Sequence, residues 1–445
     1  MLFTAALVTA GCYCPVEQPS AEPRRLISLG LGQALTADQV KQMHDDLMRE
    51  QLGDIGRAAE IDPSVTDWRD QLQSGIQDVV ICQPMTYWSR DVNGRPIRLT
   101  GMLFLPRRWI PSPLPYYLPL IAYSHATELQ RDQVPSEFGG YEWMVGAAAA
   151  LFFNFAVVMP DLPGLGGADP ASYHPYCQAS SLAYSMADMI QAAQDAFHGE
   201  LCGQYIWNGQ LYVLGYSEGA YAAMATVKEL QVNAAQYPGL TVTGSACMGG
   251  PFDLSGIMRQ IMVDSDQPYS EPLFVAYTAL AYNAVYGEVF DPNQVLNPQL
   301  LPDIIEWMNG SNSFGTVNRL VAERLGLPDG GHPLPRELLN PDWVRRNLAD
   351  DVYTTTPAGQ FLIENDLWSG WAPDSPMLLR ASPDDDLVPY ANSEKAFNAF
   401  TALGAGQHLK FSPIGKPGDG ITHAQGGILS VPSAIIWFRQ GCPKG

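Results

Sequence analysis

The most constraining feature of this sequence is a series of short, almost continuously apolar runs that end in turn residues. Each run spans only a few residues, as strands buried on both faces do. The runs cover residues 118–124, 155–161, 211–217, 242–250, 376–382 and 408–415. Patterns with helical spacing, such as residues 180–197, separate several of them. This alternation predicts an α/β fold with a mainly parallel central sheet that helices cover on both faces.

One long stretch interrupts the alternation. From about residue 256 to 370 the sequence has helical segments but no convincing strand. A helical insertion between two core strands is expected to form a cap. The predicted organisation is a signal or lipoprotein-type segment over 1–20, a linker and N-terminal helix over 21–75, a first part of the core over 76–255, the helical cap over 256–370 and a second part of the core over 371–445.

Three local signals lie upstream of the first parallel strand. Residues 20–35 have the composition of a linker. The next helix opens with Thr36 and Gln39, which form a capping box. Farther along, two apolar runs meet at Asn93 and Gly94, a pair of residues typical of hairpin turns, so a hairpin is predicted there.

The N-terminus has the pattern of an export signal. An apolar run from Leu2 to Ala10 ends in small residues and Cys12, as in lipoprotein-type signals. The pattern departs from that of a lipoprotein signal at two points. No basic residue precedes the apolar run, and Thr9 stands where leucine is usual. We expect an exported protein, either secreted or held at the membrane of the cell envelope by a lipid on Cys12.

The cysteines add few constraints. No C-x-x-C pair is present, so the spacing of a zinc site or a thioredoxin-like motif is lacking. The chain has seven cysteines, and six remain when Cys12 is set aside. This even number is compatible with disulfides in an exported protein. A bridge between Cys177 and Cys202 is not expected, because the helix predicted between them would hold its ends about 27 Å apart.

The charge balance narrows the class of partner. The chain has 46 acidic and 25 basic residues and a formal net charge of −21 at pH 7. Such a surface repels phosphate backbones and anionic lipid headgroups, so we expect no nucleic-acid partner and a neutral or cationic substrate. Solubility alone is an equally good explanation of the acidity.

A G-Y-S-E-G segment carries the first chemical signal. Ser217 stands between Gly215 and Gly219, after a predicted buried strand and before a helix rich in alanine. This is the context of a nucleophile elbow, in which the two glycines leave room for a tight turn. The positive end of the following helix also points toward the serine. The segment therefore predicts a nucleophile at Ser217; a plain serine at a helix start is the alternative.

A nucleophilic serine needs a base and a carboxylate that orients the base. In this fold class the order along the chain is serine, acid, histidine. The histidines downstream of Ser217 are His332, His408 and His423. The first lies in the predicted cap and the second begins a strand, whereas His423 lies in a glycine-rich loop after the last core strand. We therefore predict His423 as the base.

The acid is expected in the turn that contains Asp384, Asp385 and Asp386, directly after a core strand. Their spacing is not that of an EF-hand, so calcium binding is not the preferred interpretation. The register favours Asp385, with Asp384 as the alternative.

Together these segments resemble the α/β-hydrolases, and within them the secretory-lipase group that includes Candida lipase A-like enzymes and related bacterial esterases. The resemblance lies in PLIAYSHAT, VVMPDLPGLGGADPASYHPY, GYSEGAYAAM, SPDDDLVP and THAQG, over roughly residues 75–440. It implies the α/β-hydrolase fold, and the family's D-x-x-V-P pattern selects Asp385. The family's H-G-T oxyanion loop matches His125, Ala126 and Thr127, with alanine in place of glycine. We expect His125 to orient this loop rather than to react.

The expected activity is that of an exported serine hydrolase for uncharged, short- to medium-chain carboxylic esters. Ser217, Asp385 and His423 would form the triad, and the backbone N–H groups of Glu218 and Thr127 the oxyanion hole. The underside of the cap is expected to form an apolar acyl pocket. No metal and no organic cofactor are expected. The alternatives are a serine peptidase of the prolyl-oligopeptidase type, an acyltransferase, and a hydrolase-fold binding protein without catalysis.

Overall fold

The structure is a computed structural model that describes residues 24–52, 60–73, 78–108, 114–168, 173–264, 266, 269–328 and 331–443. The predicted signal segment 1–20 and the candidate lipidation site Cys12 lie outside the described residues. Within the described ranges, no helix is both long enough and apolar enough to cross a membrane.

A mixed sheet forms the centre of the described chain. Its strands are β1 (Leu26–Leu29), β2 (Gln33–Thr36), β3 (Val79–Arg90), β4 (Pro96–Arg107), β5 (Tyr116–Ser124), β6 (Ala156–Pro160), β7 (Tyr205–Tyr216), β8 (Val242–Met248), β9 (Met377–Arg380) and β10 (Leu409–Phe411). They lie in the order β1-β3-β4-β6-β5-β7-β8-β9-β10, and β2 also pairs with β3. Pairs among β5 to β10 are parallel, and all pairs that involve β1 to β4 are antiparallel. The predicted α/β class with a mainly parallel sheet is confirmed.

Helices cover both faces of this sheet. They are α1 (Ala37–Leu52), α2 (Ser64–Leu72), α3 (Glu142–Phe153), α4 (Ala179–His198), α5 (Glu218–Val232), α6 (Arg259–Asp264), α7 (Leu273–Tyr286), α8 (Pro292–Val295), α9 (Asp303–Trp307), α10 (Phe314–Leu325), α11 (Pro341–Asn347), α12 (Pro357–Glu364), α13 (Ala391–Ala402) and α14 (His423–Arg439). Leu120 and Val213 belong to the apolar layer of α4, α5 and the long insertion. Ile121 and Leu214 belong to the layer of α1, α2, α3 and α14. The strands are continuously apolar because successive side chains enter two different buried layers.

The capping box and the hairpin are both present. The N–H of Thr36 donates to Oε1 of Gln39 at 2.9 Å, and the N–H of Gln39 donates to the Thr36 hydroxyl at 3.3 Å. The turn between β3 and β4 contains Gly94 at a φ of 74°, a conformation that glycine adopts without steric cost.

The linker prediction for residues 21–35 is wrong where those residues are described. β1 and β2 both pair antiparallel with β3, and Leu26 is buried against the core. Arg25 contributes to this attachment, because its backbone N–H donates to Asp195 at 2.6 Å and its guanidinium lies 3.5 Å from the buried carboxylate of Asp188. The N-terminal segment therefore extends the sheet, since β3 offers an edge that needs hydrogen-bond partners.

Between β8 and β9 the described residues form helices joined by turns and irregular stretches, and no strand apart from an isolated bridge between Leu296 and Leu339. The segment runs from a π-helix at Leu254–Met258 through α6 to α12. Although the chain leaves the sheet for this whole segment, β8 and β9 are direct parallel neighbours, with Ser245 opposite Met377. We call the segment 254–364 the helical insertion.

Cys82, Cys177, Cys247 and Cys442 are free, buried thiols, and Cys202 is disulfide-bonded. The exclusion of a Cys177–Cys202 bridge is therefore confirmed. The even number of cysteines thus does not mean full pairing, because these four thiols pack as small apolar side chains in the core. Burial raises the pKa of the Cys82 thiol to about 12, which makes it unreactive at neutral pH.

Candidate active site

Ser217 lies in a tight turn between β7 and α5. Its backbone has a φ of 59° and a ψ of −127°, a strained conformation for a residue other than glycine. A side chain on Gly215 would overlap the carbonyl of Gly219, and one on Gly219 would overlap the carbonyl of Ser124. The turn is therefore possible only because positions 215 and 219, two residues before and two residues after Ser217, are glycine. The N–H of Ser217 donates to the carbonyl of Met248 at 2.9 Å, which fixes the turn against β8.

The structure brings together Ser217, His423 and Asp385. The Ser217 hydroxyl lies 2.8 Å from Nε2 of His423. On the other side of the ring, Nδ1 of His423 lies 2.8 Å and 3.0 Å from the two carboxylate oxygens of Asp385. All three residues are largely buried. In the tautomer that fits this arrangement, Nδ1–H donates to Asp385 and Nε2 accepts the serine proton.

His423 is held by its backbone as well as by its ring. It is the first residue of α14, which Thr422 and Gln425 cap reciprocally. The hydroxyl of Tyr216 donates to the carbonyl of His423 at 2.6 Å, and the N–H of His423 donates to Asp386 at 2.8 Å. The contacts that Tyr216 and Asp386 make with the backbone of His423 were not predicted from the sequence. Because Tyr216 directly precedes Ser217, one turn positions both the Ser217 hydroxyl and the Tyr216 hydroxyl that holds the backbone of His423.

The three adjacent aspartates have three different partners. Oδ1 of Asp385 accepts the N–H groups of Leu387 and Val388 at 3.0 and 2.8 Å, which turns its carboxylate toward the histidine ring. Asp384 instead accepts the N–H groups of Gly418 and Gly420 in the loop before His423. These hydrogen bonds lower the pKa of Asp384. The structure thus does not bring Asp384, the alternative acid, to the histidine ring.

The other two downstream histidines lie elsewhere. His332 is part of the helical insertion, and His408 precedes β10 with Nε2 3.1 Å from the side-chain amide of Gln407. Neither has a hydrogen bond to Ser217 or to an aspartate among the described residues.

The loop after β5 approaches the serine from the other side. The N–H of Ala126 donates to both carboxylate oxygens of Glu142 at 3.0 Å. The ring nitrogens of His125 lie 2.7 Å from the carbonyl of Ala126 and 3.1 Å from that of Asp161. His125 thus contacts only backbone and orients the loop. Sequence reasoning missed Glu142, which lies at the start of α3 and carries no local signal of this contact.

The predicted oxyanion donors are two backbone N–H groups. That of Glu218 is the first of α5 and that of Thr127 follows the Ala126 contact. Within the described ranges, neither N–H has a hydrogen-bond partner. Both stay predicted oxyanion donors, and the positive end of α5 would add to the attraction of a negative oxygen near Glu218.

Solved structures with this architecture come from bacteria and from a yeast. A candidate hydrolase from Legionella pneumophila superposes with a TM-score of 0.72 at 20% identity, over 94% of this chain and 98% of that chain. The rice cell wall degrading esterase LipA from Xanthomonas oryzae gives a TM-score of 0.68 at 20% identity, over 94% and 97%. Candida antarctica lipase A gives 0.57 at 16% identity, over 82% and 79%.

The chain has the α/β-hydrolase fold. The resemblance seen in the sequence is thereby confirmed for the fold. No protein-family model and no curated protein matches the sequence.

In this α/β-hydrolase fold, an apolar cavity lies under the helical insertion. The space between its lining residues, counted together with the open solvent at its mouth, is about 700 Å³. Cys177 and Pro251 line it near the serine turn, since the N–H of Cys177 also approaches the carboxylate of Glu218 at 3.4 Å. Most of its wall comes from the insertion, including Leu254, Met258, Met262, Val263, Phe274, Val275, Ala279, Phe290, Leu339 and Trp343. Among the aromatic side chains of α7, Phe274 lines the cavity, whereas Tyr282 packs on Tyr286 and Phe290.

The described residues contain no cluster of three or more histidine, cysteine or acidic side chains that could hold a metal ion.

Proposed function

We propose that this protein is a serine hydrolase that cleaves carboxylic esters. The observation that carries the proposal is the continuous hydrogen-bond chain from Ser217 through His423 to Asp385, with 2.8 Å at each step. Such a chain is what a serine hydroxyl needs to lose its proton to a base during attack. The esterase and the lipase among the proteins of the same fold add support.

In the first half of the proposed reaction, Oγ of Ser217 attacks the ester carbonyl carbon while Nε2 of His423 takes the serine proton. Asp385 accepts Nδ1–H and stabilises the imidazolium that forms. The carbonyl oxygen becomes an oxyanion that the N–H groups of Glu218 and Thr127 would bind. The C–O bond to the alcohol then breaks, and the imidazolium gives its proton to the leaving oxygen.

In the second half, water replaces the alcohol. Nε2 of His423 takes a proton from the water, whose oxygen attacks the carbonyl carbon of the acyl-serine. The bond to Oγ of Ser217 then breaks, the serine regains a proton from the imidazolium, and the carboxylic acid leaves. Besides the ester and water, both halves use only groups of this chain.

The substrate class follows from the cavity and the charge. An apolar cavity near the serine turn favours an aliphatic acyl chain, since each buried methylene contributes about 0.8 kcal/mol. Its lining contains a single charged side chain, Arg259, whose guanidinium is already hydrogen-bonded to the carbonyl of Leu348 at 2.6 Å. The formal charge of −21 repels anionic esters. We therefore propose uncharged, short- to medium-chain esters as substrates.

The test is a comparison of nitrophenyl acetate, butyrate, octanoate and palmitate with a dye-labelled peptide and emulsified triolein. Butyrate and octanoate should give the highest kcat/KM, and the peptide should not be cleaved. Efficient peptide cleavage would move the assignment to a serine peptidase, and a preference for triolein would move it to a true lipase. Transfer to an added alcohol faster than to water would make it an acyltransferase.

A protein that binds all of these esters but cleaves none would be a hydrolase-fold binding protein. Labelling of Ser217 by a fluorophosphonate separates this outcome from a wrong choice of substrate. A reactive serine without turnover means that the ester is wrong, whereas an inert serine contradicts the proposed chemistry.

We also propose that the protein is exported and that a lipid on Cys12 holds it at the membrane of the cell envelope. The support is the apolar run that ends in small residues before Cys12. Mass spectrometry of the N-terminal peptide should show a mature chain that begins at a lipid-modified Cys12, and Cys12→Ser should release the protein from the membrane fraction. A mature N-terminus elsewhere, or an unmodified Cys12, would contradict the proposal.

A further inference from the structure

A buried ion pair lies directly behind the serine turn. Nε2 of His174 is 2.7 Å from Oε1 of Glu218, and the two side chains are 1% and 0% exposed. The other ring nitrogen, Nδ1, is 2.8 Å from the carbonyl of Pro163. Neither residue was assigned such a role from the sequence, because their contact joins two distant loops. The mechanism above uses the backbone of Glu218 but not its carboxylate.

Both ring nitrogens of His174 face acceptors. A carboxylate and a carbonyl oxygen cannot donate, so each nitrogen fits best with a proton of its own, and the ring is then an imidazolium. Burial acts against this charge, but the carboxylate of Glu218 and the two hydrogen bonds outweigh it and raise the pKa of His174. The negative charge on Glu218 is thus matched by a positive charge at hydrogen-bond distance.

Among the ionisable groups around this pair, His174 is the cation that contacts Glu218. Glu128 and Glu142 are acids, and burial together with the neighbouring carboxylates raises the pKa of Glu128 to about 8. Burial raises the pKa values of Tyr176, Cys177 and Tyr277 well above their usual range. Arg131 lines a cavity together with His174 and Tyr277. Within the described residues, His174 is the cation at hydrogen-bond distance from the Glu218 carboxylate.

The position of Glu218 gives this balance a consequence for catalysis. Glu218 directly follows Ser217, and its N–H is one of the two proposed oxyanion donors. A carboxylate without a counter-charge, buried this close, would repel the developing oxyanion and oppose the donors. Besides His174, the N–H of Cys177 donates to Oε1 at a long 3.4 Å, whereas Oε2 is buried and has no hydrogen-bond partner in the described structure.

The loop that carries His174 is built to hold the ring in place. Leu162 and Gly164 have φ values of 68° and 82°, and a side chain on Gly164 would collide with the backbone of His174. From the insertion, the ring of Tyr277 lies 5.8 Å from the imidazole. The side chains of His174 and Glu218 are almost fully buried, which strengthens the attraction between their charges.

We propose that His174 is a positioning residue for the ester hydrolysis proposed above, on which this inference rests. As an imidazolium it neutralises the carboxylate of Glu218 and fixes the first turn of α5. The oxyanion then forms beside two N–H donors and a neutral pair rather than beside a free negative charge. His174 touches neither the substrate nor the reacting atoms.

The test compares three variants with the parent protein. His174→Gln keeps a donor toward Glu218 but removes the positive charge. It should lower kcat for nitrophenyl butyrate about 10²-fold, as loss of an oxyanion donor does, with KM changed less than about threefold. Binding of an aliphatic trifluoromethyl ketone, on which Ser217 forms an oxyanion, should weaken in parallel. The double variant His174→Gln/Glu218→Gln removes both charges and should recover at least tenfold in kcat over His174→Gln.

The control is His44→Gln, because His44 is also a buried histidine, paired through Nε2 with the indole N–H of Trp68 at 3.0 Å. It should keep kcat within about twofold. A double variant no more active than His174→Gln, or ketone binding unchanged in His174→Gln, would overturn the inference. If the parent itself neither reacts with a fluorophosphonate nor cleaves esters, the proposed function fails instead.

Discussion

The backbone N–H of His423 donates a hydrogen bond to Oδ1 of Asp386 at 2.8 Å, so the residue after the candidate acid fixes the main chain of the candidate base. The other oxygen of Asp386 accepts the hydroxyl of Ser270, in the helical insertion, at 2.6 Å. Burial acts against ionisation, but these hydrogen bonds outweigh it and lower the pKa of Asp386. The carboxylate of Asp386 therefore connects three segments: the turn that contains Asp385, the start of α14 and the helical insertion.

The three aspartates should respond differently to the same change. Asp385→Asn should lower kcat/KM about 10⁴-fold, because an amide favours the wrong tautomer of His423. Asp386→Asn should cost about tenfold, since its amide oxygen still accepts the backbone N–H but without charge. Asp384→Asn should stay within about threefold. Butyrate ester kinetics measure all three, and an Asp384→Asn variant as inactive as Asp385→Asn would contradict the assignment.

Ser217→Ala and His423→Ala should each lower ester hydrolysis by about 10⁴–10⁶-fold with an unchanged melting temperature. Each change removes one partner of the 2.8 Å contact on which proton transfer depends. His332→Ala and His408→Ala are the matched controls and should stay within about tenfold of the parent. If His408→Ala were as inactive as Ser217→Ala while still folded, His423 would not be the base.

Two helix-start glycines should differ in their tolerance of a methyl group. Gly219→Ala should destabilise the protein by about 2–4 kcal/mol or prevent folding, because the new side chain would overlap the Ser124 and His125 carbonyls. Gly315 occupies the corresponding second position of α10, with open space around it. Gly315→Ala should therefore be neutral or stabilise by up to about 1 kcal/mol. Urea unfolding measures both, and equal effects would contradict the strained turn.

A bulky side chain in the cavity should shorten the acyl chain that the enzyme accepts. Ala279 lines the cavity from α7, whereas Ala284 on the same helix is exposed. Ala279→Phe should lower kcat/KM for octanoate relative to acetate by at least about tenfold, since the ring occupies the acyl space. Ala284→Phe should leave that ratio unchanged. A ratio that is unchanged in both variants would mean that the acyl chain lies outside this cavity.

Stability should fall as the pH rises across neutrality. Glu128, with its pKa raised to about 8, holds a proton in the folded protein that the unfolded chain loses above about pH 4.3. The folded state then binds more protons, so raising the pH toward 8 favours unfolding. Glu128→Gln should remove part of this loss, with a stabilising effect that is larger at pH 8 than at pH 5. An effect of equal size at both values would mean that Glu128 ionises normally.

Local chemistry made much of this site predictable. Gly215 and Gly219 mark the turn because no other residue fits there, and the apolar runs mark strands because the sheet is buried on both faces. The contacts of Glu142, His174 and Asp386 depend on residues far away in sequence, so no local pattern shows them. β1 and β2 were missed for the same reason. β1 and β2 have only four residues each, and they are strands because they pair with β3 rather than because of their own composition.

The adjacency of β8 and β9 across the helical insertion also orders events during synthesis on the ribosome. The strand and helix around Ser217 can pack as soon as β8 has emerged, but Asp385 and His423 are synthesised only after the insertion. Closing so long a loop has an entropic cost that a growing chain cannot offset early. A nascent chain that stops before β9 would therefore have a folded serine turn but no acid and no base. The protein would gain the means to cut esters only after the insertion and the strands beyond it have been synthesised.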